Sequence, residues 1–178
     1  MRGYFGIGVE QISKEGNIGN LMRSAHSFGA SFFFTIQPHL DVKGIRATDT
    51  SGAFDHLPYH QYDSVGELSL PKGCQLVGIE FIEDSIELPS FQHPTRAAYV
   101  LGPEMGSLSP ELQERCDHII HIPMKFCVNV GVAGALVMYD RLISMKRFPP
   151  RPVKAGGPTE ELQNHNFGPR RKQRTSSE

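Results

Sequence analysis

The feature that most constrains this sequence is an alternation between short apolar runs and longer stretches whose apolar residues recur at helical intervals. Residues 4–9 form an apolar run typical of a strand. In residues 17–28 the apolar side chains are spaced for a helix, and Gly29 follows as a natural C-terminal cap. Residues 31–36 are β-branched and aromatic, as expected of a buried strand. Two strands joined by one helix favour parallel pairing.

The same alternation continues along the chain to residue 145. Further strands are predicted at 75–80, 97–101 and 118–122. Helices are predicted at 64–68, after Ser109 and at 130–145, with Ser109 as N-cap and Pro110 in the first turn. Residues 42–59 are polar and irregular, so we expect a long surface loop there. This order indicates an α/β fold with a mainly parallel sheet flanked by helices.

Charge divides the chain into two parts. Residues 1–148 carry a formal charge of −4 and residues 149–178 carry +3. The body is therefore not the strongly basic domain typical of many nucleic-acid binders. The last thirty residues are rich in proline, glycine and arginine, with Phe167 as their one aromatic residue. We expect one domain at 1–148 and a basic, disordered tail at 149–178 that gathers polyanions or aids solubility.

Several protein classes are excluded by simple features. No apolar run approaches the roughly 18 residues of a transmembrane helix, and the N-terminus lacks the pattern of a signal peptide. Three cysteines cannot form a fully paired disulfide framework, so a cytoplasmic protein without membrane association is expected. Dinucleotide, Walker and nucleophile-elbow motifs are absent. His118 and His121 of one predicted strand point to opposite faces, so no metal site is expected.

Three segments carry unusual residues, each with an ordinary alternative explanation. In the first, Asn17 can cap the helix, and Arg23 sits inside an apolar stripe, where arginine is uncommon unless it meets an anion. The second, residues 100–109, is a glycine-bounded loop after a buried strand with one carboxylate, Glu104; it is either a plain turn or a ligand contact. In the third, Cys127 or Asn129 opens a final helix whose small residues allow close approach of a ligand or of another helix.

Together the three segments resemble the SpoU branch of the SPOUT RNA methyltransferases over roughly residues 3–147. The first motif, N-x-G-x-x-x-R-x-A-x-x-F-G, is matched from Asn17 to Gly29. The second is matched at residues 101–106, and the third at Ile122-Pro123-Met124 followed by Asn129-Val130 and Ala133. The resemblance implies a deep trefoil knot near the C-terminus, a homodimer, and S-adenosylmethionine-dependent methylation of a ribose 2′-hydroxyl in tRNA or rRNA.

The resemblance also implies the site residues. A central catalytic role falls to Arg23, with Asn17 assisting its placement and Asn129 fixing the loop that holds the methionine part of the cofactor. Because the pKa of arginine exceeds ~12, we expect Arg23 to clamp a phosphate and stabilise charge rather than to act as a base. No metal is required. The expected cofactor-binding residues are Ile79, Gly102, Glu104, Gly106, Ile122, Met124 and Cys127.

This chain departs from the family pattern at two positions. Many members have S-x-N-[VL]-S where this chain has Cys127 to Gly131, and a thiol is a weaker hydrogen-bond donor than a hydroxyl. We nevertheless expect an active enzyme. Since the first strand begins near residue 3, we favour the family's minimal tRNA enzymes over rRNA enzymes. The alternatives are a non-catalytic RNA-binding knot protein and an unrelated nucleotide-binding α/β enzyme. The residues expected to form a local basic face for RNA are Arg2, Lys43, Arg46, Lys125, Arg141, Lys146 and Arg147.

Overall fold

The computed structural model describes residues 3–41, 52–146, 148–152 and 154–157. The strands in these ranges are β1 (Tyr4–Glu10), β2 (Phe32–Ile36), β3 (Tyr59–Tyr62), β4 (Gln75–Ile79), β5 (Ile86–Glu87), β6 (Arg96–Leu101) and β7 (His118–His121). The helices there are α1 (Glu15–Phe28), α2 (Ala53–His56), α3 (Pro110–Arg115) and α4 (Val130–Met145), with a 3₁₀ turn at Leu88–Ser90.

The strands form one seven-stranded sheet in the order β3-β2-β1-β6-β4-β7-β5, and every pairing between them is parallel. This confirms the predicted α/β class. From β1 the chain runs outward through β2 to β3, and then crosses to the other half of the sheet at β4. The carboxyl ends of β1 and β6 therefore flank the point at which the direction of winding reverses, where open α/β sheets bind ligands. The knot implied by the resemblance stays a prediction.

Both faces of the sheet are covered. Along β6, Tyr99 and Leu101 belong to the core that includes buried side chains of α1 and α4. The alternating residues Ala98 and Val100 face the second core, which includes Leu112 of α3. Because successive side chains of a strand point to opposite faces, the continuous apolar run of β6 serves both layers.

The two long helices pack closely against each other on one face. A Cβ atom added to Gly134 of α4 would lie 2.3 Å from Cδ1 of Leu21 on α1, so any larger residue would force the buried Leu21 side chain to move. The small residues of the third motif thus permit the approach of another helix, which was one of the two expected reasons for them. This packing places the beginning of α4 beside the beginning of α1.

A buried arginine joins α4 to the amino ends of the sheet. Arg141 is 1% exposed. Its Nη1 donates to the carbonyl oxygen of Pro94 at 2.6 Å and to the Tyr99 hydroxyl at 3.0 Å. Its Nη2 donates to the carbonyl oxygens of Thr95 at 3.1 Å and of Tyr4 at 3.3 Å. The expectation that Arg141 belongs to a basic RNA face is therefore wrong, because its guanidinium is buried and donates hydrogen bonds to oxygen atoms of the interior.

His93 continues this buried network. Since the Tyr99 hydroxyl accepts from Arg141, its own proton is available to Nδ1 of His93, 2.6 Å away. The other ring nitrogen, Nε2, then carries the proton and donates to Asp140 at 2.9 Å. Burial lowers the pKa of His93 even though Asp140 favours the charged ring. The histidine therefore serves as a neutral link between Tyr99 and Asp140.

Some sequence expectations differ from the structure. The helix expected at 64–68 is a turn, held by hydrogen bonds from Glu67 N to Ser64 O and from Leu68 N to Val65 O. The region expected to be a loop, 42–59, contains α2, and β3 begins at its last residue; residues 42–51 lie outside the described ranges. β3 pairs with β2 at the sheet edge, where a half-exposed polar strand gives little apolar signal.

The chain divides into two compact units, residues 1–146 and 147–178. In the second unit, the described residues contain a turn in which Gly157 N donates to Lys154 O at 2.9 Å. Most of the expected tail lies outside the described residues, as do Arg2, Lys43, Arg46 and Arg147 of the expected basic face, so their roles stay predictions. None of the helices in the described ranges is long and apolar enough to cross a membrane.

Candidate functional site

A cavity of about 760 Å³ opens at the carboxyl ends of β4, β6 and β7. Its position follows from the sheet order, because these three neighbouring strands end beside the loops that carry the second and third motifs. The cavity is lined by all seven residues expected to bind a cofactor, Ile79, Gly102, Glu104, Gly106, Ile122, Met124 and Cys127, and by Asn17 and Asn129.

Glu104 ties the loop after β6 to the segment that precedes α1. One carboxylate oxygen accepts from the backbone N and the hydroxyl of Ser13, at 3.2 and 3.1 Å. The other accepts from the backbone N of Lys14 and from Nδ2 of Asn17, each at 3.0 Å. Burial opposes ionisation of Glu104, but these hydrogen bonds and one from its own backbone outweigh it, so that the pKa of Glu104 is lowered.

Asn17 and Asn129 extend this contact to the final helix. Nδ2 of Asn129 donates to Oδ1 of Asn17 at 2.7 Å, and Oδ1 of Asn129 accepts from Gly131 N at 2.8 Å as the N-cap of α4. Asn17 does not cap α1, which begins two residues earlier at Glu15; that expectation is wrong because the buried amide serves this connection instead. The carboxylate and two amides therefore join the three motifs into one unit.

Glycine is required in the second motif by the loop itself. A Cβ atom added to Gly102 would lie 3.0 Å from the backbone N of Leu108 and 3.2 Å from the carbonyl carbon of Ser107. Gly106 has a φ of 135°, which side chains rarely adopt. The loop thus folds back over the end of β6, and Leu101 and Gly102 at this end line the cavity.

Arg23 lies apart from the other motif residues in the single chain. The buried residues of α1 are Asn17, Ile18, Gly19, Leu21, Met22 and Ala25. Arg23 is exposed, on another face of the helix, and is not among the residues that line the cavity. The interpretation of an arginine inside an apolar stripe is therefore wrong, because helical spacing alone did not separate position 23 from the buried positions beside it.

Five polar or aromatic residues of the cavity wall were not expected there from the sequence: Lys14, Phe81, His121, Lys125 and Phe126. Each follows a strand or lies next to a motif, and that position is the signal that could have found them. His121 was weighed as a metal ligand against a solvent or packing role, and not as a residue of a ligand site. Among the described residues, no group of three or more His, Cys, Asp or Glu side chains is placed to hold a metal ion.

The fold and the cavity define a class of α/β proteins with a ligand site at the carboxyl ends of parallel strands, tied together by three separated motifs. Residues 5–139 match the SpoU rRNA Methylase family, about three quarters of the chain. The chain belongs to this family. Methyltransferases of the family use S-adenosylmethionine.

One curated relative is an uncharacterized tRNA/rRNA methyltransferase of Synechocystis, 27% identical over 142 residues. The match covers 74% of this chain but only 36% of that protein, so this chain spans about a third of its relative. The SpoU methyltransferase AviRb of Streptomyces viridochromogenes in complex with AdoMet shares the fold with a TM-score of 0.69 at 24% identity, covering 81% of this chain and 62% of AviRb.

A second solved structure is closer in size. It was determined in work on the 2-OH methylation of C/U34 on tRNA, and it shares the fold with a TM-score of 0.69 at 20% identity. The alignment covers 82% of this chain and 98% of that protein. The domain described here therefore matches nearly the whole of one compact member of the fold.

The cavity fits S-adenosylmethionine in size and chemistry. Its volume of about 760 Å³ falls within the usual range of small-molecule sites. The apolar side chains of its wall suit a nucleoside, while Lys14, Lys125 and Glu80 offer charges opposite to those of an amino-acid carboxylate, a sulfonium and an amine. Cys127 is a free thiol in this wall, and its small side chain leaves the cavity open.

Proposed function

We propose that this chain is an S-adenosylmethionine-dependent RNA methyltransferase that modifies a ribose 2′-hydroxyl, with tRNA as its substrate class. The observation that carries this proposal is the hydrogen-bonded connection from Glu104 through Asn17 to Asn129 at the wall of one cavity. The connection joins the three family motifs, and the cavity beside it is lined by the cofactor-binding residues expected from the resemblance. Rigid polar contacts of this kind hold a site in its working geometry.

Methyl transfer requires alignment of two reactants more than strong acid or base chemistry. When bound, S-adenosylmethionine supplies a methyl group on positively charged sulfur. Asn129, the Cys127 wall and the loop of Glu104 orient the ligand together, because Asn17 joins Glu104 to Asn129 at the cavity wall. Arg23 is assigned to the phosphate beside the target ribose, where its planar guanidinium can bind two oxygens and stabilise developing charge.

This assignment needs a second copy of the chain. Helix α4 exposes Val132, Leu136 and Tyr139, at 49%, 39% and 49%, on positions that follow one another at helical spacing. Phe126, beside the cavity, is 86% exposed. We propose that a homodimer covers this apolar surface and brings Arg23 of one copy to the cavity of the other, since within one chain Arg23 lies outside the cavity wall.

Two observations bear on the substrate and the cellular site. The fold shared with nearly the whole of the protein studied for C/U34 methylation supports tRNA, while the family name and the Synechocystis relative keep rRNA as the second candidate. A non-catalytic RNA-binding protein is the third candidate, because Cys127 and Gly131 lack the hydroxyls common in the family. The free thiols of Cys74, Cys116 and Cys127 support a cytoplasmic protein.

The proposal is tested with the full chain and methyl-labelled S-adenosylmethionine. Bulk tRNA and rRNA are offered separately, and the products are digested and mapped for ribose methylation. Label in a 2′-O-methyl nucleotide of tRNA is the expected result. Label in rRNA alone assigns the second substrate, and cofactor binding without transfer to either RNA assigns the non-catalytic protein.

Replacing Glu104 by glutamine is expected to weaken binding of S-adenosylhomocysteine about tenfold. The amide nitrogen cannot accept from Ser13 or Lys14, and each donor left without an acceptor costs ~1–3 kcal/mol. Isothermal titration calorimetry measures the effect. Glu111→Gln, on the exposed first turn of α3, is the matched control and should bind as the wild type does. Equal affinity of the Glu104 variant and the control would contradict the role given to Glu104.

A further inference from the structure

His121, the last residue of β7, is held in one tautomer by the loop that follows β4. Its Nδ1 lies 2.9 Å from Oγ of Ser85. The hydroxyl of Ser85 donates to the carbonyl oxygen of Ile82 at 2.5 Å, so its proton is already used. Ser85 can therefore only accept from the histidine, which places the imidazole proton on Nδ1. The neutral ring then carries a lone pair on Nε2.

That lone pair belongs to a residue of the cavity wall. His121 is half-buried and lines the cavity with Phe81, whose ring contacts the imidazole edge-on at a centroid distance of 5.1 Å. In the part of the chain that the structure describes, Nε2 has no hydrogen-bond partner, whereas the carboxylate of neighbouring Glu80 accepts from Leu108 N and Phe81 N. Nε2 is thus an acceptor atom of a wall residue that the described fold does not use.

The position of His121 in the cavity determines which part of a bound ligand it can contact. In the sheet, β7 is separated by β4 from β6, the strand that leads to Glu104. Two strand spacings are roughly 10 Å. The connection of Glu104, Asn17 and Asn129 therefore occupies one end of the cavity and His121 the other. With the methionine part assigned to the Asn129 end, the adenosine part extends toward His121.

We propose that Nε2 of His121 accepts a hydrogen bond from the adenosine part of S-adenosylmethionine, and that Ser85 is the positioning residue that sets the tautomer. The inference rests on the proposed function, because it takes S-adenosylmethionine as the ligand of this cavity. The donors that adenosine offers are two ribose hydroxyls and one exocyclic amine. A neutral imidazole acceptor satisfies any of them without placing a second positive charge near the sulfonium.

Two substitutions of His121 distinguish the acceptor role of Nε2 from the structural contact with Ser85. In His121→Asn, the amide can keep the contact with Ser85 but does not reach the position of Nε2. In His121→Gln, the longer amide can present its oxygen at that position. His118→Asn is the matched control, because His118 lies on the same strand and contacts Phe91 rather than the cavity.

Calorimetry with S-adenosylhomocysteine on the full chain measures the contribution. We expect His121→Asn to bind about threefold to tenfold more weakly than the wild type, as for the loss of one hydrogen bond. His121→Gln should recover most of the affinity, and His118→Asn should equal the wild type. Wild-type binding with an unchanged affinity in His121→Asn would overturn this inference alone, whereas a wild type that does not bind S-adenosylhomocysteine would contradict the proposed function.

Two further measurements make the assignment specific. Analogues of S-adenosylhomocysteine that lack the 2′-hydroxyl, lack the 3′-hydroxyl or carry a dimethylated N6 remove one donor each, and one of them should bind wild type and His121→Asn equally. If none does, the adenosine contact is wrong. Imidazole ¹⁵N spectra of the ligand-free protein, in which the His121 signals are assigned with the His121 variants, should show the Nδ1–H tautomer. In Ser85→Ala, His121 should no longer be held in this single tautomer. An Nε2–H tautomer in the wild type would overturn the proposal.

Discussion

Replacing Arg23 by alanine is expected to lower methyl transfer at least ~100-fold, the usual size of losing one charged donor to a transition state. The affinity for S-adenosylhomocysteine should stay unchanged, because Arg23 is assigned to the phosphate beside the target ribose and not to the cofactor. Arg23→Lys should recover part of the rate, since lysine keeps the charge but not the planar fork. Arg96→Ala, an exposed arginine at the amino end of β6, is the control.

Mixing two impaired variants in equal amounts tests whether Arg23 acts across a dimer, at an S-adenosylmethionine concentration low enough for the weaker cofactor binding of Glu104→Gln to limit its activity. Dimers that combine Arg23→Ala with Glu104→Gln contain one site with both native residues if Arg23 is supplied by the other copy, which predicts recovery of roughly a quarter of the wild-type rate. No activity beyond that of the two variants assayed separately would show that Arg23 does not act across a dimer. Single-turnover measurements separate this effect from changes in cofactor binding.

Replacing Arg141 by methionine is expected to lower the free energy of unfolding by about 3–5 kcal/mol. Methionine fills much of the same space, but the carbonyl oxygens of Pro94, Thr95 and Tyr4 and the Tyr99 hydroxyl lose a buried donor. For a domain of this size the melting temperature should fall by roughly 10 °C.

Because Arg141 lies far from the cavity, its effect on stability can be measured separately from cofactor binding. The arginine joins α4 to the amino ends of the sheet, and the cavity lies at the carboxyl ends. Below its melting temperature the variant should therefore bind S-adenosylhomocysteine normally. Lys146→Met, at an exposed position just after α4, should change stability by no more than ~0.5 kcal/mol in chemical denaturation. An Arg141→Met protein as stable as this control would show that the buried contacts are not needed.

The sequence was informative wherever burial produced a regular pattern. The helix predicted at 130–145 has the observed bounds, and β1 and β2 differ from prediction by one residue at one end. The strands β3 and β5 were not predicted, because both lie at sheet edges and are largely exposed, so that apolar periodicity is weak there. Their pairing depends on neighbours that are distant in sequence.

The residues of the site also differ in whether a local sequence pattern could predict them. Glu104 and Asn129 could be expected because glycine-bounded loops after buried strands and helix caps have local signatures. The buried connection made by Asn17 could not, since it requires α1 and α4 to meet at Gly134. Arg141 shows the converse, because a charged residue in a helix gives no local sign that four interior acceptors surround it.

The connection from Glu104 to Asn129 has a direction. Gly131 N donates to Asn129, Asn129 donates to Asn17, and Asn17 donates to Glu104, so every proton points toward the carboxylate. The positive end of the α4 dipole is thereby coupled to a negative charge on a distant loop. Aspartate at either asparagine position would remove a donor and set two acceptor oxygens against each other, which explains why a neutral amide suits both places.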